Sequence, residues 1–195
     1  MGGKVNASCG LHVHVGYDKR NTPAVHKLLN LVANHEQALY AVTGTRTREH
    51  GVGSRHGTCW CKSIKQYGNA GEAQLHASHD RYHLLNLATP KPTVEFRVFG
   101  ASLNTLKAIA YVRLCVALCE KSLTAKRTRF ASRSTCWTSS RGRGTAELTR
   151  LFYDLKWWNT PGIVGVVECE GVPSLKASKK MLRAMAKRYD ESPTA

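Results

Sequence analysis

The sequence predicts an α+β chain that ends in a basic helical extension. Three observations carry that expectation. Two short segments alternate apolar and polar residues with the period of a strand, several longer ones repeat apolar residues at helical spacing, and the composition turns basic after about residue 120. A length of 195 residues suits one domain, with or without an appendage, and is enough to bury a real core. With 42% hydrophobic and 22% charged residues, a wholly disordered chain is excluded.

Residues 8–16 read as a strand, with Leu11, Val13 and Val15 on one face and His12 and His14 on the other. Thr22 and Pro23 then suit an N-cap and a first-turn proline. Val25, Leu28, Leu29, Val32 and Leu39 follow at helical spacing, and Gly44 can end the helix. Residues 45–71 are rich in glycine and basic residues without periodicity, which predicts a long loop, and loops of that length inside a domain are usually functional or disordered. Residues 81–88 read as a short element. Residues 93–99 read as a strand with Val94, Phe96 and Val98 inward. Asn104 can cap a helix running to about Leu123, its apolar side made by Leu106, Ile109, Ala110, Val112, Val116 and Leu118. Residues 131–144 read as an exposed linker. A helix is expected over 146–158 and a Gly-Val-rich stretch around 163–167. A final amphipathic helix is expected from Ser174, with Leu175, Leu182, Met185 and Tyr189 on one side.

Twenty-nine Lys and Arg against 13 Asp and Glu leave a net charge of +16, so phosphates, a nucleic acid or an acidic partner are the candidate companions. The basic stretch 126–143 interleaves Arg127, Arg129, Arg133, Arg141 and Arg143 with Phe130 and Trp137, a pattern that suits a nucleic-acid backbone or a solvated surface. The N-terminus has no long apolar run and Asn6 stands where myristoylation wants Ser or Thr. The most apolar stretch, 103–123, carries Lys107, Arg113, Glu120 and Lys121, so no membrane span is expected. Seven scattered cysteines, an odd number, suit free thiols in a reducing cytoplasm.

Two motifs carry the chemistry. On a strand, His12 and His14 share a face roughly 6.5–7 Å apart. They can hold one metal, or one can hold a metal while the other donates to an anion; a solvent-facing pair is the bland alternative. Glu95 and Arg97 likewise share a face. Glu supplies a hard oxygen and Arg a planar fork for phosphate or carboxylate, the alternative being a cross-strand ion pair. Were the two strands to share a sheet face, the four side chains together would suit a metal–nucleotide site.

Ser8-Cys9-Gly10-Leu11-His12-Val13-His14-Val15-Gly16, then Arg81-Tyr82-His83-Leu84-Leu85-Asn86-Leu87, then Thr93-Val94-Glu95-Phe96-Arg97-Val98-Phe99, resemble the amidoligases. These are carboxylate–amine ligases of bacteria and phages, related to glutamine synthetase and glutamate–cysteine ligase. The resemblance covers roughly residues 8–123. It implies an antiparallel sheet curved around the active site with helices outside, a partial glutamine synthetase-like fold. It also implies that ATP phosphorylates a carboxylate and that an amine then attacks the acyl phosphate to give an amide. By motif position it makes His12 and Glu95 ligands of a metal, Mg²⁺, and sets His14 against nucleotide phosphate. Arg97 would hold the transferring phosphate or the acyl substrate, and Arg81 would be a further basic catalytic residue. Arg46 and Arg48 resemble the family's loop arginines, aligned through Trp60-Cys61-Lys62. Phosphoryl transfer is largely positioning and charge neutralisation, which such cations supply.

One departure stands out. The family opens with a strand carrying paired acidic residues, its main Mg²⁺ ligands, whereas no Asp or Glu precedes His12. Two His and one Glu make a poor Mg²⁺ site. The expectation is a truncated, split or degenerate enzyme. The missing carboxylates would come from a second polypeptide or from Glu168 and Glu170. The expected division is a catalytic core over 1–125, a basic linker over 126–144 and a helical extension over 145–195. A catalytically inactive nucleic-acid-binding or partner-binding protein on the same scaffold is the alternative. His50, His56, Cys59 and Cys61 cluster in sequence, but a C-x-C spacing is wrong for the common zinc knuckle.

Overall fold

The computed structural model describes residues 4–5, 9–44, 60–130, 143–157 and 171–191. The described residues form a three-stranded antiparallel sheet and six helices. Strand β1, Gly10–Gly16, and strand β2, Leu85–Asn86, lie on either side of the central strand β3, Thr93–Gly100. A bulge between Leu11 and Val13 shifts the register of β1, which then pairs Val13 with Phe96, His14 with Glu95 and Val15 with Val94. Apolar residues expected to face inward do so: Val94, Phe96 and Val98 are fully buried and Val13 nearly so.

The single helix expected between Pro23 and Gly44 is two, α1 (Thr22–Asn34) and α2 (Glu36–Ala41), broken at His35. The cap is Asn21 rather than Thr22, because the Asn21 side-chain oxygen accepts from the amide of Ala24. Val25, Leu28, Leu29, Val32 and Leu39 are all fully buried, as their spacing predicts. Gly44 ends the run at φ +87°, a left-handed conformation suited to glycine, with the Met185 sulfur 3.1 Å from where a Cβ would stand.

Helix α3, Ala70–His79, was not expected from periodicity. Only Ala70, Ala73 and Ala77 are buried on it, and three methyl groups make no visible apolar stripe. Its start is nonetheless encoded: the Asn69 side chain accepts from the Glu72 amide, and Glu72 reaches back to the Gly68 amide. Helix α4, Thr105–Thr124, begins after the Asn104 cap as expected. Its inner face differs from the expected one. Tyr111, Leu114, Cys115 and Leu118 are fully buried, while Val112 is 45% exposed.

Helix α5, Arg143–Asp154, and helix α6, Leu175–Glu191, pack on the rest of the molecule, α5 against α2 and α6 against α4. Leu148, Leu151, Phe152, Trp157, Leu182 and Ala186 join the same buried cluster as the sheet. Cys61, Cys115 and Cys119 are buried and Cys9 is exposed. Among the described residues, no helix is long and apolar enough to cross a membrane.

Candidate active site

Strand alternation and register bring the two motifs to one sheet face. His14 sits directly across from Glu95 on β1, and Asn86 sits across from Glu95 on β2. Glu95 therefore becomes the hub. Its Oε1 lies 2.8 Å from His12 Nδ1, 2.9 Å from Arg97 Nη1 and 3.5 Å from His14 Nε2. Its Oε2 accepts from Asn86 Nδ2 at 2.5 Å, and the amide of Ala88 in turn holds the Asn86 oxygen. His14 Nδ1 is 3.3 Å from Thr93 Oγ1.

Burial differs sharply across this cluster. The Glu95 and Arg97 side chains are each 7% exposed, whereas those of His12 and His14 are 31% and 47% exposed. A buried ion pair thus lies beneath two imidazoles that reach solvent. Burial pushes the Glu95 carboxyl up, but the Asn86 hydrogen bond and the positive neighbours Arg97, His12 and His14 outweigh it and hold the group below the usual carboxylate range. Glu95 stays ionised as the counter-charge that orients the cations around it.

Arg81 reaches the same neighbourhood through an aromatic ring. Its guanidinium carbon lies 5.3 Å from the Tyr82 ring centre, and that of Arg97 lies 5.8 Å from it. Trp60 meets the Tyr82 ring edge-on at 5.2 Å and 81°. Backbone hydrogen bonds fix these positions: Lys62 N to Tyr82 O, Leu84 N to Lys62 O and Arg97 N to Leu84 O. Arg46, Arg48, His50, His56 and Cys59 lie outside the described residues, as do Glu168 and Glu170.

The donor set does not fit Mg²⁺. Both oxygens of Glu95 are already engaged, a guanidinium shares the oxygen that faces the histidines, and imidazole is a poor partner for so hard a cation. Among the described residues, no group of three or more His, Cys, Asp or Glu is arranged to hold a metal ion.

Asn86, Tyr82 and Trp60 join the site without having been given a role from the sequence. Asn86 and Tyr82 stand inside the motif run 81–87, but only the pairing of β2 with β3 sets Asn86 against Glu95. Trp60 carries no periodic signal at all.

Comparison with curated proteins and with solved structures returns no match. A family model described as "Putative amidoligase enzyme" matches residues 1–119. That stretch contains the whole Glu95 hub with β1, β2, β3 and most of α4, and on this match the chain belongs to the amidoligase family.

Proposed function

We propose that the face built around Glu95 serves an ATP-dependent carboxylate–amine ligation. A carboxylate oxygen of the acid attacks the γ-phosphorus of ATP, the bond to the β-phosphate oxygen breaks, and ADP leaves. The amine nitrogen then attacks the acyl carbon, the C–O bond to phosphate breaks, and the amine's surplus proton passes to solvent or a base. The observation that supports this reading is the convergence of His12, His14 and Arg97 on one carboxylate, within 3.5 Å, at a sheet face that opens to solvent.

Each residue has a part in that scheme. His14, the most exposed of the four, faces the nucleotide phosphates. Arg97, paired with Glu95, adds its fixed charge beside the transferring phosphoryl group, and Arg81 adds positive charge where the acyl phosphate forms. Glu95 and Asn86 position these cations without touching the reacting atoms. Mg²⁺ bound with the nucleotide would neutralise phosphate charge; Glu95 does not suit it, and carboxylates of a second polypeptide would supply its protein oxygens.

Titration calorimetry of the whole chain with Mg·ATP tests the reading. Removing the His14 ring by His14→Ala, or replacing the planar Arg97 fork with a single ammonium by Arg97→Lys, should weaken binding roughly tenfold or more. Wild-type affinity in both variants overturns the assignment.

A further inference from the structure

Trp60 is 54% exposed, meets the Tyr82 ring, and is followed by a tightly held segment. Next to it, Cys61 is fully buried, and its carbonyl accepts from Tyr40 Oη. Lys62 Nζ lies 2.6 Å from Asp80 Oδ2, while Asp80 Oδ1 accepts from the Tyr82 amide. Farther on, the buried carboxylate of Glu36 accepts from the amides of Ile64 and Lys65. An indole displayed to solvent on so anchored a segment is a preformed surface.

Its neighbours give that surface a charge. Trp60 and Tyr82 stand nearly at right angles, so the two rings make a corner, and the exposed guanidinium of Arg81 lies against the Tyr82 ring. A ligand that combines a negative group with a flat apolar body matches both parts.

The corner's place in the sheet says which ligand this is. His12 and His14 come from β1, whereas Tyr82 precedes β2 on the opposite side of β3. Arg97 lies between them, in contact with Glu95 on one side and the Tyr82 ring on the other. In a phosphoryl transfer the leaving and attacking oxygens are roughly in line, on opposite sides of the phosphorus. If the nucleotide lies on the His14 side, the attacking acid lies on the Tyr82 side. Resting on the proposed ligase reading, we propose that Trp60, Tyr82 and Arg81 form the acid-binding subsite, and that its substrate class is a carboxylic acid whose carboxylate is joined to a flat, apolar group.

Ligand-detected NMR titration of the whole chain with phenylacetate, cyclohexylacetate and acetate tests this, with Mg·ATP affinity measured in parallel. Phenylacetate should bind more tightly than acetate, by about tenfold at most for one aromatic contact, with cyclohexylacetate between them. Trp60→Ala should abolish the preference and leave Mg·ATP binding unchanged, and Arg81→Ala should weaken all three acids. Because Trp60 is exposed, its replacement keeps the fold, which circular dichroism checks. Equal binding of the acids, no detectable binding, or a Trp60→Ala chain whose defect lies in Mg·ATP affinity overturns the subsite. A wild-type chain that prefers phenylacetate yet fails to bind Mg·ATP removes the ligase reading and leaves the corner standing as an acid-binding site.

Discussion

The Glu95–Arg97 pair shows how a single residue couples stability to chemistry. Both side chains are almost fully buried, and without Arg97 the carboxylate keeps only His12, His14 and Asn86. Arg97→Ala should lower unfolding stability by about 1.5–3 kcal/mol, and urea titration reads that directly. The pH dependence follows from the lowered position of the Glu95 carboxyl. Its contribution is complete above the ordinary value of 4.5 and fades as the pH falls through the lower native one. A Glu95→Gln chain should therefore lose less stability than wild type in that acid window.

A second titrating residue acts in a higher range. His35, 1% exposed, lies with Nε2 2.9 Å from Asp154 Oδ2. Burial pushes its pKa below the ordinary 6.5, against the upward pull of Asp154 and Glu147, with Arg150 adding to the depression. The unfolded chain then binds more protons than the native one just below pH 6.5, so stability should fall on acidification through that window. His35→Gln keeps a donor for Asp154 without a titrating ring. Its stability between pH 7 and pH 5 should stay flatter than that of wild type in parallel urea curves.

At the scale of elements, local chemistry marks where helices begin better than which face they bury. Asn21, Asn69 and Asn104 each accept a hydrogen bond from an amide in the first turn of α1, α3 and α4. Asn104→Ala should cost about 1 kcal/mol, seen as a lower urea midpoint with an unchanged slope. Facing is harder to read. On α4 a mixed run of Leu, Ile, Val, Ala, Tyr and Cys allows several overlapping stripes, and contact with α1 and α6 selects the one through Tyr111, Leu114 and Leu118. Helix α3 carries almost no stripe, since alanines alone fit against its neighbours.

At the scale of the whole molecule, the C-terminal helices meet the core through specific polar contacts as well as apolar ones. Asp190 on α6 accepts from the amides of Gly144 and Thr145 and so caps α5, while Arg113 on α4 donates to Ser178 on α6. A Cβ at Gly144 would stand 2.7 Å from both the Ala41 Cβ and Asp190 Oδ1. Gly144→Ala should therefore destabilise the chain by about 1–3 kcal/mol, through overpacking where α2, α5 and α6 meet. Ending the chain near residue 125 would uncover the faces of α2 and α4 that α5 and α6 cover. Such a truncation should aggregate or bind a hydrophobic dye, whereas the whole chain should not.

By itself the sequence determined the α+β class, the alternation of β1 and β3, the starts of α4 and α6 and the four polar residues His12, His14, Glu95 and Arg97, because strand period and caps are local properties of the chain. Tertiary structure alone decided that these four meet on one carboxylate and that Asn86 holds its other oxygen. It also placed Trp60 and Tyr82 as a corner beside Arg81, and closed Glu95 to Mg²⁺. Register between strands distant in sequence, a bulge at Leu11 and packing across several elements set those relations, and no short window of residues encodes them.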